Sequence, residues 1–499
     1  MTIKQKTFAI TPAGRACQIN ALIRFASALA AGIILVPCAK ADYYAAQSGQ
    51  TPSAPYTTWS SAASNIQDAV NAATTNDTVW VGAGRYIRPS NPTNYWGTNV
   101  VFVNRFLTLR SSNGIPDSVI IDGEGQNRCL TMYYSGNSTN RYILDGVTIS
   151  NGMATNGAGL LLESVNQSWT AVVQNCVFTR NRATSSQGIA EARGGGIYTY
   201  NAGADRLGLL VSNCVFRANV AFNSQTNSAA MGGGMCLYNR GLQLVVDCLF
   251  EDNESGQYGG AIGSFTFGAD IPEIERSVFR RNRTTAYGST SSGGGAVYTG
   301  GGLDCRNSLF YHNWAYVAGD CGGGAVGTGS QYEFQSLIFR GCTIVSNQAN
   351  RGGGIYIRKQ GDAQGNPSLE IYNSIVQSNQ AGALANGHNV YARPTSGYTN
   401  YFVNSCWYPT NGVDYPLIAP PGTGLVDSGS VTSAPRFVDF AGNNFRLNRD
   451  SPCINAGLNQ SWVEGAKDLD NHSRIDVFSG RVDIGCYEYL PRGMMFKVR

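Results

Sequence analysis

The sequence predicts an all-β fold, a solenoid of stacked parallel strands, on three observations. A seven-residue phrase recurs: "NCVFTRN" at Asn175, "NCVFRAN" at Asn213, "DCLFEDN" at Asp247, "RSVFRRN" at Arg276, "NSLFYHN" at Asn307, "GCTIVSN" at Gly341 and "NSIVQSN" at Asn373. Its starts lie 29 to 38 residues apart, the period of repeat architectures. Between copies stands a glycine cluster: "GGGIY" (Gly194), "GGGMC" (Gly232), "GGAIG" (Gly259), "GGGAVY" (Gly293), "GGGAV" (Gly322) and a second "GGGIY" (Gly352). Third, the repeated segments are β-branched or aromatic and bounded by Asn and Gly, which reads as strand and turn. Sustained helical spacing occurs only in "SAASNIQDAVNAA", where Ile66, Ala69, Val70 and Ala73 share a face.

Residues 1–41 contain Lys4, Lys6, Arg15, Arg24 and Lys40, no acid, an apolar run from Phe25 to Val36, and Ala-Lys-Ala before Asp42. This is the pattern of a signal peptide, so the mature chain is expected to begin near Asp42, exported to the outer-membrane surface or the extracellular space. The run is too short to span a bilayer. "LVPC" (Leu35 to Cys38) offers a rival lipoprotein signal, against which Pro37 argues. Without the leader, 31 Lys and Arg face 32 Asp and Glu. No basic stripe remains to attract nucleic acid or an anionic membrane.

Residues 42–140 read as an N-terminal cap and first coils, 141–430 as the repeats, 431–490 as a C-terminal capping module and 491–499 as a tail. Strands that recur without hairpin turns must run the same way, so equivalent residues stack about 4.8 Å apart. Phe178, Phe216, Phe250, Phe279 and Phe310 then form one inward column, continued by Ile344 and Val376. Three residues after each stands Asn181, Asn219, Asn253, Asn282, Asn313, Asn347 or Asn379. A stack of amides can close its own hydrogen bonds, each donating to one coil and accepting from the other. The glycine clusters mark corners that need positive φ or close backbone approach. Cys176, Cys214, Cys248 and Cys342 share the second position of the phrase with Ser277, Ser308 and Ser374, predicting a ladder of small buried side chains. Eleven cysteines follow the leader, an odd number.

The alternating GGA/GGG-[IV] and FxxN motifs resemble the repeats of polymorphic outer-membrane proteins. More broadly they resemble the right-handed parallel β-helix of the pectate-lyase-like (pectin lyase-like) superfamily, over about Asp145 to Asn404. The right hand of the coil is implied by that resemblance. Both ends are similar to choice-of-anchor Q β-helix proteins. "YYAAQSGQ" through "VGAGRY" (Tyr43 to Tyr86) looks like their capping helix and first coil. "APRFVDFAGNNFRLNRDSPCINAG" (Ala434 to Gly457) and "VDIGCYEY" (Val482 to Tyr489) look like their C-terminal module. Cys486 stands where that family usually has Ala, and nothing like a sorting tail follows Tyr489, which leaves the anchoring route open. In an oxidising compartment Cys453 and Cys486 could pair if their segments are adjacent strands; alternatively Cys486 fills an Ala-sized core site.

Chemistry is sparser. The two positions after each phenylalanine bring Glu251 and Asp252 into register with Arg280 and Arg281, and next with Tyr311 and His312. Acid, base and His converge there, as a catalytic cluster or as charge pairing on a solvated face. Asp468, Asp470 and Asp476 faintly resemble a Ca²⁺ loop that lacks its glycine and its terminal Glu, so Asp-stabilised turns are preferred. His388 and His472 lack partners at metal spacing. Tyr198, Tyr238, Tyr298 and Tyr356 follow the glycine corners, to stack on sugars or to pack on neighbours. The main expectation is a monomeric, non-enzymatic, adhesin-like or glycan-binding β-helix without a cofactor, whose partner is a polysaccharide. The alternative is a polysaccharide lyase or glycoside hydrolase, with Ca²⁺ if a lyase.

Overall fold

The structure, a computed structural model, describes residues 40–88, 98–136, 138–164, 168–185, 191–201, 206–224, 229–265, 270–285, 293–316, 322–329, 336–358, 368–382, 387–393, 399–407 and 424–490. The leader, apart from Lys40 and Ala41, and the tail fall outside the described residues. No helix among the described residues is long and apolar enough to cross a membrane.

A coil of the repeats lays down four main strands. In one they are Trp169–Gln174, Val177–Thr179, Arg182–Ser185 and Ile197–Asn201, with the two-residue Ala192–Arg193, which pairs with Ala230–Met231, before the last, and Leu207–Ser212 begins the next coil. Equivalent strands pair in parallel and build four sheets, called here the long, phenylalanine, short and glycine sheets in that order. Among the described residues they hold 13, 10, 8 and 10 strands. The chain is thus an all-β parallel solenoid, capped by helix α1 (Ile66–Ala72). Asn65 caps α1 by accepting the Asp68 N–H at 2.9 Å, and Ile66, Ala69, Val70 and Ala73 are buried.

The phenylalanine register is the expected one, Phe178 to Phe216, Phe250, Phe279, Phe310, Ile344 and Val376. The five rings are fully buried and stack nearly parallel, with centroids 4.6–4.9 Å apart. The asparagine column closes its own bonds. Asn253 Nδ2 donates to Asn282 Oδ1 at 2.9 Å and to the Phe216 carbonyl at 2.9 Å, and its Oδ1 accepts Asn219 N–H and Asn219 Nδ2. The same exchange runs from Asn181 through Asn379 and ends on Asn389. Each amide of this column therefore finds its partners within the coil.

Corners follow from backbone sterics. Gly232 has φ +61°, and a Cβ on Gly233 would lie 2.3 Å from the Glu254 carbonyl and 2.5 Å from that of Gly260. Between the long and phenylalanine sheets the phrase's first residue is left-handed: Asn175, Asn213, Asp247, Arg276, Asn307, Gly341, Asn373 and Asn404 all have positive φ. Asn, Asp and Gly tolerate that conformation best, which is why this position is so seldom anything else. The Cys/Ser ladder is buried as expected. Ser277 Oγ accepts Cys248 N–H at 3.1 Å, and Ser308 Oγ accepts Ser277 N–H at 3.1 Å.

Residues after Ala434 fold back on the outer face of the phenylalanine sheet. An antiparallel hairpin, Phe437–Asp439 with Asn444–Leu447, is followed by turns up to Tyr489. Phe445, Leu447, Cys453, Ile484, Cys486 and Tyr487 pack on Leu309, Tyr311, Val345 and Ile375. The two phrases singled out at this end do meet, Ile484 N–H donating to Cys453 O at 3.0 Å. Both cysteines are nevertheless free and buried. Ile484, not Cys486, stands against Cys453, while Cys486 N–H donates to Thr343 Oγ1 at 3.1 Å, so the pair expected between them is not made.

Candidate functional site

The predicted column forms as an ion-pair network. Glu251, buried, is held by Arg217, by Arg280 (Nε to Oε2 2.8 Å) and by Arg281 (Nη2 to Oε2 3.2 Å). Asp252 takes a two-pronged contact from Arg281 at 2.8 and 2.9 Å. Arg280 Nη1 also donates to the Tyr311 hydroxyl at 3.1 Å. Burial pushes the Glu251 carboxyl up, but the Arg280 and Arg217 guanidiniums outweigh it and hold the group below its usual range. Burial would lower Arg280, but Tyr311 and Glu251 push it up, and Arg281 is pushed up chiefly by Asp252 against its own burial. Such groups neither take nor give a proton near neutrality. His312 faces elsewhere, its Nε2 lying 2.7 Å from Asn443 Oδ1 of the C-terminal hairpin. The column is thus the ionic margin of a face that turns apolar at Leu309 and Tyr311, where the module lands.

A depressed carboxyl contributes stability above its unfolded pKa and loses it as pH falls through the folded value. Glu251→Gln is therefore expected to cost about 1–3 kcal/mol at neutral pH and to flatten the acid limb of a thermal-melt pH series. An unchanged acid limb would show that Glu251 is not held ionised.

The aspartates of "KDLDNHSRID" make turns. Asp468, fully buried, accepts the N–H groups of Asp470 (3.0 Å), His472 (2.6 Å) and Glu488 (2.9 Å). Asp470 is taken by Arg446, and Asp476 accepts Phe478 and Ser479 N–H. These carboxylates point to separate partners and do not fit a cation. Among the described residues no group of three or more His, Cys, Asp or Glu is placed to hold a metal. His388 Nδ1 accepts the Ala381 N–H. Of the four tyrosines, Tyr198, Tyr298 and Tyr356 are buried on the glycine sheet's outer face. Tyr198 meets Arg193 and Tyr298 donates to Gly329 O at 2.5 Å, so these pack on neighbours.

The long sheet carries a cluster that sequence reading missed. Its outward residues line up as Glu273, Asp304, Ile338 and Glu370 in one column and as Glu275, Arg306, Arg340 and Tyr372 in the next. Arg306 Nη2 lies 2.7 Å from Asp304 Oδ2 and 3.8 Å from Glu273 Oε2, and Arg340 Nη1 reaches Asp304 Oδ1 at 2.5 Å. Glu370 accepts from Ser368 Oγ at 2.7 Å and the Tyr372 hydroxyl at 3.3 Å. Glu273 accepts no hydrogen bond from a described residue. Its carboxyl is raised, chiefly by burial and further by the charges of Asp304 and Glu275, against the pull of Arg306 and Arg340. Asp304 goes the other way: burial would raise it, but Arg340 and Arg306 hold it low. Two carboxyls on adjacent strands are pushed apart, one toward an acid and one toward an anion, the arrangement acid–base chemistry uses. The phrase alignment does not reach this sheet. The signal was the alternation in "EIERSVF" and "LDCRNSLF", with charges outward and Ile274 and Cys305 buried.

No family model matches the chain, and no curated protein matches it. Among solved structures it resembles pectate lyase Pel9A, with a TM-score of 0.48 at 16% identity over 90% of this chain and 96% of that one. It also resembles a rhamnogalacturonan lyase, with a TM-score of 0.39 at 14% identity over 82% and 95%. The fold is a parallel β-helix. That statement rests on the strand pairing. The finer kinship with polymorphic outer-membrane or choice-of-anchor Q repeats has only the motifs behind it.

Proposed function

We propose that the protein is an exported carbohydrate-active enzyme, a glycoside hydrolase working from the outer face of the long sheet. The observation that supports it is the Glu273/Asp304 pair, two carboxyls sharing one guanidinium nitrogen with opposite protonation preferences. Glu273, raised toward its protonated form chiefly by burial and accepting no hydrogen bond from a described residue, is placed to protonate the oxygen of a glycosidic bond. Asp304, kept ionised, is placed to offset positive charge developing on the sugar ring. Hydrolysis is favoured over β-elimination because a lyase needs a basic group able to give up its proton, and Arg306 is pushed up by its acidic neighbours against burial. The lyase names of the two similar structures are in keeping with a polysaccharide substrate.

Glu273→Gln is expected to lower reducing-sugar release from a panel of polysaccharides by at least about 100-fold, the usual worth of a general acid. The fold should be retained, because no described residue hydrogen-bonds to the side chain and Arg306, its ion-pair contact at 3.8 Å, stays paired with Asp304. Ultraviolet-absorbing unsaturated products would point to a lyase, and an undiminished Glu273→Gln rate would remove the assignment.

A non-catalytic, adhesin-like role is the second reading. Trp314 and Tyr316 support it: they stand 40% and 52% exposed on the short sheet, ring centroids 5.4 Å apart, beside exposed Gln348 and Gln380. Binding of a polysaccharide with no product from any member of the panel would favour it.

A further inference from the structure

A pocket of about 410 Å³ opens on the glycine sheet, a different face from the carboxyl pair, lined by Arg128, Asn156, Leu161, Glu163, Arg193, Tyr198 and Tyr200. Strand register builds it. Leu161 pairs with Tyr198, and Glu163 sits between Tyr133 on one strand and Tyr200 on the next. Asn156 bridges to Arg193 at the corner. Arg128 closes one wall, fixed by Asn156 O (3.0 Å), Gly157 O (3.1 Å) and Asn99 Oδ1 (3.2 Å). Arg193 closes another, donating to the Tyr198 hydroxyl at 2.9 Å, paired with Glu191, and lying 4.4 Å over the Tyr238 ring.

Several polar groups here have no hydrogen-bond partner among the described residues. Asn156 Oδ1 and Arg193 Nε are buried without a hydrogen-bond partner. Glu163, half-buried, accepts none from any described residue, and burial pushes its carboxyl up against the pull of Arg128. A buried polar group left unmade costs about 1–3 kcal/mol, so an acceptor, a donor and a carboxylate converging beside a tyrosine ring form a site that a ligand completes. That ligand must both donate and accept, present a flat apolar face to Tyr200, and bring no carboxylate against Glu163. Arg193 is already neutralised by Glu191 and Arg128 is spent on carbonyls, so an anion finds no free cation.

We infer that this pocket binds one or two units of a neutral sugar chain, hydroxyls on Glu163, Asn156 Oδ1 and Arg193 Nε, and ring on Tyr200. The site would hold a neutral glycan on one face of the coil while the long sheet faces another. It stands whether or not Glu273 is catalytic.

Isothermal titration of the folded protein with neutral hexose and pentose oligosaccharides, and with an oligouronate, tests it. At least one neutral oligosaccharide should bind, and the oligouronate more weakly. Glu163→Gln, which keeps the side chain's shape, should weaken neutral binding about tenfold, as should Tyr200→Ala, while both variants keep the parent melting temperature within a few degrees. No binding by any neutral member, undiminished binding in both variants, or preference for the oligouronate would each overturn the proposal. Glu273→Gln, by contrast, should leave the binding intact, so the two assignments fail separately.

Discussion

Replacing Phe250 with Asp is expected to prevent folding of the coil at ordinary temperatures. The ring is fully buried between Phe216 and Phe279, 4.6 and 4.8 Å away. Truncating a core Phe alone costs about 3–5 kcal/mol. A carboxylate adds an unpaired charge where the nearest polar groups, the ladder amides, have no donor to spare. Because each coil is held only by its neighbours, a break in the middle severs the stack instead of loosening it. Phe222→Asp is the control, since Phe222 lies 37% exposed on the short sheet. Circular dichroism and thermal melts should show loss of the cooperative transition for Phe250→Asp and a shift of a few degrees for Phe222→Asp. A Phe250→Asp protein melting like the parent would mean the column does not carry the stack.

That column, the amide ladder, the glycine corners and the parallel stacking were all legible in the sequence. Each repeats at one position of a phrase, and a period near 32 residues converts sequence position directly into height along the axis. What repeats less strictly was harder to read. The left-handed turn before the phenylalanine strand is written as Asn, Asp or Gly in most copies, yet Arg276 breaks the pattern. Register alone puts Glu251 beside Arg280 on the next coil and equally beside Arg217 on the preceding one, but it could not say that His312 would turn to Asn443. The Glu273/Asp304 pair lies on a sheet whose outer residues vary from coil to coil, so no motif marks it. Its contrast in protonation comes from burial and from two arginines, Arg306 on the strand of Asp304 and Arg340 on the next.

The C-terminal module is expected to detach, or to melt early, when Arg474 is replaced by Met. Arg474 is the largest fully buried side chain of the fold and the only cation inside the module among the described residues. Its Nη1 donates to Gly485 O at 2.9 Å and meets Glu488 Oε1 at 3.0 Å, and its Nη2 donates to Asp483 O at 2.9 Å. The tip reaches the solenoid at Gly341, where a Cβ would lie 2.7 Å from Asn307 Oδ1 and 3.1 Å from Arg474 Nη2, leaving little room for the Asn or Asp that most copies carry at this position. Around it are Asp468, Asp483 and Glu488, with His472 Nδ1 3.4 Å from Asp468 and Asp476 further out. Breaking a buried pair by removing one partner costs about 3–5 kcal/mol.

The pH dependence of that loss has a definite sign. Burial raises Glu488 to about 8 against the pull of Arg474, and raises Asp483 as well. A carboxyl raised on folding keeps a proton that the unfolded chain gives up, so its stabilising share is complete below the unfolded pKa and is lost as pH rises to the folded value. For Glu488 the window runs from about 4.5 to about 8. The parent module should therefore hold best at mildly acid pH and weaken toward pH 8. Arg474→Met should suffer most at pH 8 and be partly rescued near pH 5, where the carboxyls it leaves behind can protonate. Glu488→Gln, permanently neutral, should flatten the slope. Thermal melts of the three proteins between those limits, with limited proteolysis to follow the module, check this directly. If Arg474→Met melts like the parent at pH 8, or if Glu488→Gln keeps the full slope, the buried cluster is not what fastens the module to the coil.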